Sequence, residues 1–381
     1  MTIIGEISVR PEEFAAAVAW VAKWVTTKPV VPIQAGIAIE AADGEITLTA
    51  YSENATARAK VSAESLSTAT GRSVVSGRLL AALAATFGKG KPVTIAAADG
   101  SVQLTAGKWT GRLPAMADQD WPTLATALPE IGRVNGDALA AAVERVGVAR
   151  GTDPAAGPVF MLMHLGFGGE GLDLGATDRY RVAFTSVPFE YAGNLPFDRL
   201  TPFAENMVEA AGAFAGPGDV VLGADPGSLS LTGPRRQIVM RLGTVEGGWP
   251  VDAMTSYLTT GMAQPAEVEI DPAEIVMPLR RAGITSGKGA LARIEIADGV
   301  LRLGGADDEG TDGDEEIGVD YAGERGHGYV NAKYFGDAFA TAPGKVVRIK
   351  FSTGDQLRLP VIAYCEDDPH WRYLTMPVRK N

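Results

Sequence analysis

The stretch "LDLGATDRYRVAF", residues 172–184, sets Asp178, Arg179, Tyr180 and Arg181 side by side behind an apolar run. A carboxylate, two guanidinium groups and a phenol are the makings of an acid–base centre or a phosphate clamp. Other stretches invite similar readings. "GFGGEG" at 166–171 has the G-x-G-x-x-G spacing of a dinucleotide loop, but such a loop must open a helix whose N-terminus meets the pyrophosphate. Here "LDLGATD" follows with strand-type alternation, after the apolar strand expected of "PVFMLMHL", so a hairpin turn is expected. "GITSGKGA" lacks P-loop spacing and has no Ser or Thr after Lys288. The acidic run "DDEGTDGDEE", 307–316, read as a calcium loop from Asp308, puts Gly310 and Val319 where oxygen ligands belong; a solvated loop without compensating bases is expected. Cys365 and His370 are too few for zinc, and His164 and His327 fall on a strand and a Gly-flanked loop. No catalytic residue, metal site or cofactor is expected. An enzyme using Asp178, Arg181 and His164 stays open as the competing class.

These residues sit on a repeated framework. Alternating strands follow Gly- or Asp-containing turns at "DGEITLTAYS" (43), "DGSVQLTAGK" (99), "EGLDLGATDR" (170), "DPGSLSLTGP" (225), "DGVLRLGGAD" (298) and "TGDQLRLPVI" (353). Helical patterns lie between them, beginning near Pro11, Ser76, Asn135, Leu200, Asp271 and Asn331. Ser76, Asn135, Thr201, Asp271 and Asn331 are candidate N-caps, and Pro278 should kink or shorten the fifth helix. Six helix-plus-strands units in register point to internal duplication, and pairs of units give three domains. The expected divisions are 1–127, 128–262 and 263–381, with linkers at "LATALPEIG" and "LTTGMAQPAE".

Bulk properties narrow the class. No apolar run is long enough for a membrane helix, and Cys365 is the only cysteine, so a reducing cytoplasm is expected. The net charge of −12 would argue against nucleic acid. The helices and their flanks nevertheless carry a small excess of bases, Lys23, Lys28, Arg78, Arg150 and Lys288 among them. Repeated helices sharing one mildly positive surface would hold a polyanion without reading its sequence. The tail "WRYLTMPVRKN" is apolar where chains usually turn polar, which suits either a closing strand or the wall of a peptide groove.

Taken together, "TKPVVPIQAGIAIEAADGEITLTAYS", "GRLPAMADQDWPTL", "GATDRYRVAF", "VEGGWPVDA" and "YLTMPVR" resemble, in this order and spacing, the bacterial DNA sliding clamp family, the beta subunit of DNA polymerase III. The resemblance spans essentially the whole chain. It implies an α+β fold of three similar clamp domains, each two helix-plus-antiparallel-strands units, joined head to tail in a homodimeric ring. It implies a non-catalytic processivity factor that encircles double-stranded DNA without sequence preference. Its implied partners are the DNA polymerase III alpha subunit, the clamp loader and other clamp-binding-motif proteins, with no membrane. Carried onto this chain, Lys28 stands before the family's P-x-x-P, with Arg78 and Arg150 as further DNA contacts. The partner-peptide pocket maps to Phe160, Thr177, Tyr180, Arg181, Val182, Pro250, Leu374, Thr375, Met376, Pro377, Val378 and Arg379. Leu113 and Ile284 map to the dimer interface. Departures from the family pattern lie at Arg179 and Tyr180, in "VDAMTSY", and in the final Lys380 and Asn381. An adaptor that keeps the fold but not the ring is the remaining alternative.

Overall fold

The computed structural model describes residues 3–65, 67–125, 128–169, 171–193, 195–287, 290–305, 313–354 and 356–379. Lys288, most of the acidic run, and the final Lys380 and Asn381 lie outside the described residues. Among the described residues the helices are α1 (Pro11–Ala22), α2 (Gly77–Ala84), α3 (Gly136–Gly147), α4 (Ala204–Ala211), α5 (Val251–Met262), α6 (Pro272–Thr285) and α7 (Ala332–Ala340). Among the described residues every helix except α5 is preceded by one short strand and followed by three, with a two-residue fourth, Glu190–Tyr191, added after α3, so the element order repeats six times. In the first module Glu6–Val9 leads α1, and Gly36–Ala42, Glu45–Tyr51 and Ala55–Ser62 follow it. The leading strands, as short as Arg199–Leu200, carry too few residues to show a period of two in sequence.

The chain divides into two compact units. The first comprises residues up to Gly136 with 191–193 and Gly216–Leu242. It contains a 13-stranded sheet, in which Arg236–Arg241 pairs antiparallel with the first-module strand Ala55–Ser62, Arg236 opposite Ala59 and Met240 opposite Ala55. The "DG" pairs act as the hairpin chemistry requires. Asp43 and Gly44 both have left-handed φ values, 51° and 74°, the backbone that a two-residue turn between twisted strands demands. Helix α1 buries Phe14, Val18 and Val21, the stripe its spacing defines, and α2 buries Leu80 and Ala84.

The second unit comprises Asp137–Glu190, Leu195–Ala215 and the described residues from Gly243 onward. Its eight-stranded sheet joins module three to module six: Arg181–Pro188 pairs antiparallel with Arg372–Thr375, Arg181 opposite Thr375 and Val182 opposite Leu374. Entry into that last strand is fixed by Asp368, whose Oδ1 accepts from the His370 and Trp371 amides while Oδ2 receives Arg145 at 3.0 Å. A four-stranded sheet of Asp314–Gly318, Val300–Gly305, Leu291–Ala297 and Gly326–Asn331 completes this unit.

Several expectations change. Ser76, Asp271 and Asn331 cap their helices through side-chain oxygens that accept from Leu79, Ala273 and Tyr334 amides. Thr201 does not, because α4 starts later and the Thr201 hydroxyl donates to the Gly243 carbonyl at 2.7 Å. Pro278 does not shorten α6, which runs unbroken to Thr285. Burial of Ile275, Leu279 and Ala282 on one face is worth several kcal/mol, enough to offset the ~3 kcal/mol cost of an internal proline. "PVFM" is a short 3₁₀ turn, and the strand begins only at His164. The expected strand at 353 forms only at Val361–Tyr364, because the Gly354 and Leu357 backbone bonds instead with Arg325 and His327. The end of the acidic run is a paired strand, Asp314–Gly318, not an open loop, and Asp314, Glu315 and Glu316 meet Arg293, Arg281 and Arg302. No helix is long and apolar enough to cross a membrane among the described residues.

Candidate peptide groove and DNA-facing residues

The corner at residues 177–181 is built by Asp178. Its Oδ1 accepts from the Tyr180 and Arg181 amides at 3.0 and 3.1 Å, and its Oδ2 receives Arg181 Nε at 2.8 Å. Thr177, fully buried, donates its hydroxyl to the Arg181 carbonyl at 2.7 Å and accepts from the Arg179 amide. Arg181 is 6 % exposed. Its guanidinium also donates to Asp337 at 2.7 Å and to the Tyr373 hydroxyl at 3.3 Å, and lies 4.1 Å from the centre of the Tyr334 ring. Burial works against its charge, but Tyr373, Asp178 and Asp337 more than offset that penalty and hold it protonated. Burial likewise pushes the Tyr373 phenol up, and its hydroxyl donates to the Tyr334 carbonyl. The carboxylate is thus committed to structural bonds. It fastens a turn and leaves no free base for catalysis.

Behind this corner lies a buried apolar cluster of Leu162, Val182, Trp249, Met254 and Leu374. Around it stand the half-buried Val159, Phe184, Phe203, Val245, Val251, Leu258 and Met376. Val182 and Leu374 are cross-strand partners, so sheet register places them on one face. Helix α5 supplies Val251, Met254 and Leu258, spaced three and four apart on one stripe. The Met376 amide donates to the Tyr180 carbonyl at 2.8 Å, which ties the C-terminal segment to the corner. The Val378 amide donates to Tyr329. Tyr180 is 54 % exposed; Phe160, Pro250, Met376, Pro377 and Val378 are half-buried, and Arg379 is exposed. The structure therefore splits the expected pocket residues. Thr177, Arg181, Val182, Leu374 and Thr375 are buried supports, while Phe160, Tyr180, Pro250 and Met376–Arg379 are the accessible ones. Trp249, Met254, Leu258 and Leu162 were not read from sequence as pocket residues. The signal was present in the i, i+3, i+7 spacing of "VDAMTSYL", but part of that helix falls on the stretch read as a linker.

His164 packs against the same cluster, its ring stacked on Trp249 with centres 5.0 Å apart. Burial, with help from the Arg199 charge, lowers its pKa to about 4, although Asp173 and Asp198 pull the other way. The imidazole is neutral at physiological pH. Because the unfolded chain binds a proton near the ordinary 6.5 and the folded chain resists it, stability is expected to fall as pH drops from about 6.5 to 4. The loss from this one group is up to about 3 kcal/mol. Urea unfolding of wild type and His164→Phe at pH 7, 5.5 and 4.5 measures it: the variant should lack that part of the slope, and equal slopes would refute the assignment.

In the first unit the basic residues fall near α1 and α2. Lys23 caps the C-terminus of α1, and Lys28 lies in the segment that follows. Gly77 lets the start of α2 approach that segment, since a β-carbon there would sit 2.9 Å from Val25 Cγ2; Arg78 follows it. Lys23, Lys28 and Arg78 are exposed, and Lys28 and Arg78 have no ion-pair partner among the described residues. Arg150, half-buried in the second unit, donates to the Gly147 carbonyl at 2.8 Å, so part of its capacity is spent on the end of α3. Leu113 is 4 % exposed, whereas Ile284 on α6 is 72 % exposed. Among the described residues no three His, Cys, Asp or Glu side chains group to hold a metal ion, and Cys365 is buried.

The chain is a repeated α+β framework with a buried apolar cluster beside a corner bonded through side chains. Residues 6–125 match the N-terminal domain of the DNA polymerase III beta subunit, and residues 262–379 match its C-terminal domain. The beta sliding clamp of Streptomyces coelicolor is 26% identical over 384 residues, covering 98% of this chain and 99% of the relative. The beta sliding clamp homolog GriR of Streptomyces muensis is 27% identical over 388 residues, covering 97% and 98%. A crystal structure of the DnaN sliding clamp of Pseudomonas aeruginosa bound to griselimycin superposes with a TM-score of 0.87 at 18% identity, covering 99% of this chain and 100% of that one. The DNA polymerase III beta subunit of Thermotoga maritima gives 0.84 at 20% identity, covering 99% and 100%. The chain belongs to the bacterial DNA sliding clamp family, the beta subunit of DNA polymerase III. It is a clamp for DNA replication, a non-catalytic processivity factor.

Proposed function

We propose that two copies of this chain close head to tail around duplex DNA and tether partner proteins through a groove of Phe160, Tyr180, Pro250 and residues 376–379, backed by the buried Val182, Trp249, Met254 and Leu374. The observation that carries this reading is the set of accessible apolar residues, Tyr180, Phe160, Pro250 and Met376 among them, lying beside a buried apolar cluster and a corner that four side chains hold rigid. Short peptides with hydrophobic anchors suit such a site, because a preformed surface spares the cost of ordering it. The proposed visitors are the DNA polymerase III alpha subunit, the clamp loader and other proteins with the same kind of motif, met in the cytoplasm. Phe160, Tyr180, Pro250 and Met376–Arg379 are the accessible contacts; Thr177, Arg181, Val182, Leu374 and Thr375 support them.

Lys23, Lys28, Arg78, Arg150 and Lys288 are the proposed DNA contacts. Lys23, Lys28 and Arg78 are exposed on or beside helices, and such point charges hold phosphates without reading bases. Ile284 is a proposed dimer contact through its exposed side chain, and Leu113 through the strand that carries it. The six modules group as three domains at 1–127, 128–262 and 263–381. Mass measurement should give about twice 39.8 kDa. After loading by an ATP-driven loader, the protein should stay on closed circular DNA at a salt concentration that strips simple electrostatic binders, and leave when the circle is cut. Retention indifferent to cutting would refute encirclement. A monomer that still binds a hydrophobic peptide would favour the adaptor.

A further inference from the structure

Arg179 occupies a conformation that its side chain does not favour. Its φ is 83°, in the left-handed region where glycine is at ease and where a β-carbon is strained against the following carbonyl. Nothing in the corner needs an arginine there. The neighbouring bonds are made by Asp178, Thr177 and the Tyr180 and Arg181 amides, and Arg179 contributes only its backbone amide to Thr177 Oγ1. Its guanidinium is nevertheless placed. It sits 5.6 Å from the centre of the Phe160 ring and 5.5 Å from that of Tyr180, the two aromatic residues of the groove rim. The adjacent carboxylate, Asp178, is taken up by Arg181 and two amides. No acidic group stands within ion-pair distance of Arg179 among the described residues. The result is an exposed, pre-oriented cation with open donors on the rim of the proposed groove.

We propose that Arg179 reads a carboxylate on the docked peptide, so that the groove selects acidic peptides that carry hydrophobic anchors. The inference rests on the reading of the groove as a peptide site and names its specificity. A planar guanidinium held by two rings loses little freedom on pairing with a carboxylate, and it presents two parallel donors to it. The selection runs against the whole-molecule field, since a chain of net charge −12 repels acidic ligands at long range. Any preference for acidity must therefore arise locally.

Two synthetic peptides test it, sharing leucine and phenylalanine anchors, one flanked by glutamates and the other by glutamines, titrated into the full-length dimer by fluorescence anisotropy. Wild type should bind the glutamate peptide roughly three- to tenfold more tightly at low salt, and the margin should shrink as salt is added. Arg179→Gly should bring the two peptides to parity while leaving the glutamine peptide within about twofold, and should raise the melting temperature because glycine relieves the strained φ. If both peptides bind wild type equally, or the preference survives Arg179→Gly, the inference is overturned and the groove reading stands. If neither peptide binds, the groove reading falls and takes this inference with it.

Discussion

Arg181→Ala is expected to destabilise the second unit by about 3 kcal/mol, because it removes a buried cation and strips the counter-charge from two partly buried carboxylates. Asp178 would lose the cation that pairs with it among the described residues and keep the Tyr180 and Arg181 amides and the Tyr334 phenol, while Asp337 would retain Lys333 at 2.7 Å and suffer less. The Tyr373 hydroxyl would lose a donor, and the stack on Tyr334 would vanish. Arg181→Lys should recover less than half of the loss, because one ammonium group cannot serve Asp178, Asp337 and Tyr373 in the fork geometry that a guanidinium provides. Equilibrium urea unfolding, followed by tryptophan fluorescence, gives both numbers. Peptide affinity should fall in parallel, since the corner also carries the Tyr180 carbonyl that receives Met376. A change below 1 kcal/mol for the alanine variant would mean that solvent replaces the network cheaply.

Trp249→Ala should cost about 3–5 kcal/mol and abolish peptide binding together. The indole is buried between His164, stacked at 5.0 Å, and Phe184, edge-on at 6.0 Å, and it packs with Leu162, Val182, Met254 and Leu374. Removing it opens a hole under the groove that its strand and helix neighbours cannot close. Trp249→Phe is the informative companion. Indole Nε1 is buried with no hydrogen-bond partner among the described residues, so phenylalanine loses volume but also removes an unmet donor worth about 1–3 kcal/mol. The net cost should be under about 1.5 kcal/mol, with peptide affinity reduced less than tenfold. Circular dichroism melts and the same anisotropy titration measure both. If phenylalanine proves as damaging as alanine, the indole nitrogen has a function that the unmet-donor account misses.

Residues 172–184 show how far a linear reading reaches. Their polar–apolar alternation marks a strand, a turn and a second strand, and these occur at Gly171–Thr177 and Arg181–Pro188. Asp178 as the organiser of the turn also follows from local chemistry, because an aspartate that accepts amides two and three residues on is a short-range event. The fate of Arg181 does not. Sequence suggests an arginine facing a ligand, but Asp337 and Tyr373, 156 and 192 residues away, draw its guanidinium inward. Likewise α5 was hard to read because Gly261 and the paired threonines "TT" resemble a linker. Two of those threonines satisfy their hydroxyls on carbonyls one turn back, and Gly261 packs closely on Ile362.

The sequence by itself determined what depends on neighbours along the chain. It supplied the sixfold periodicity, the "DG" turns, three of the helix caps and the family motifs in their order, since periodicity, left-handed turns and capping are set by contacts within a few residues. The tertiary structure decided which side chains of a motif are tools and which are scaffolding. Only the pairing of Arg181–Pro188 with Arg372–Thr375, and the seating of α5 beside them, fix which apolar residues share a face and which charges find partners. Burial and charge pairing are properties of surroundings assembled from distant segments. They turned Arg181 into a buried strut and left its neighbour Arg179 exposed on the rim.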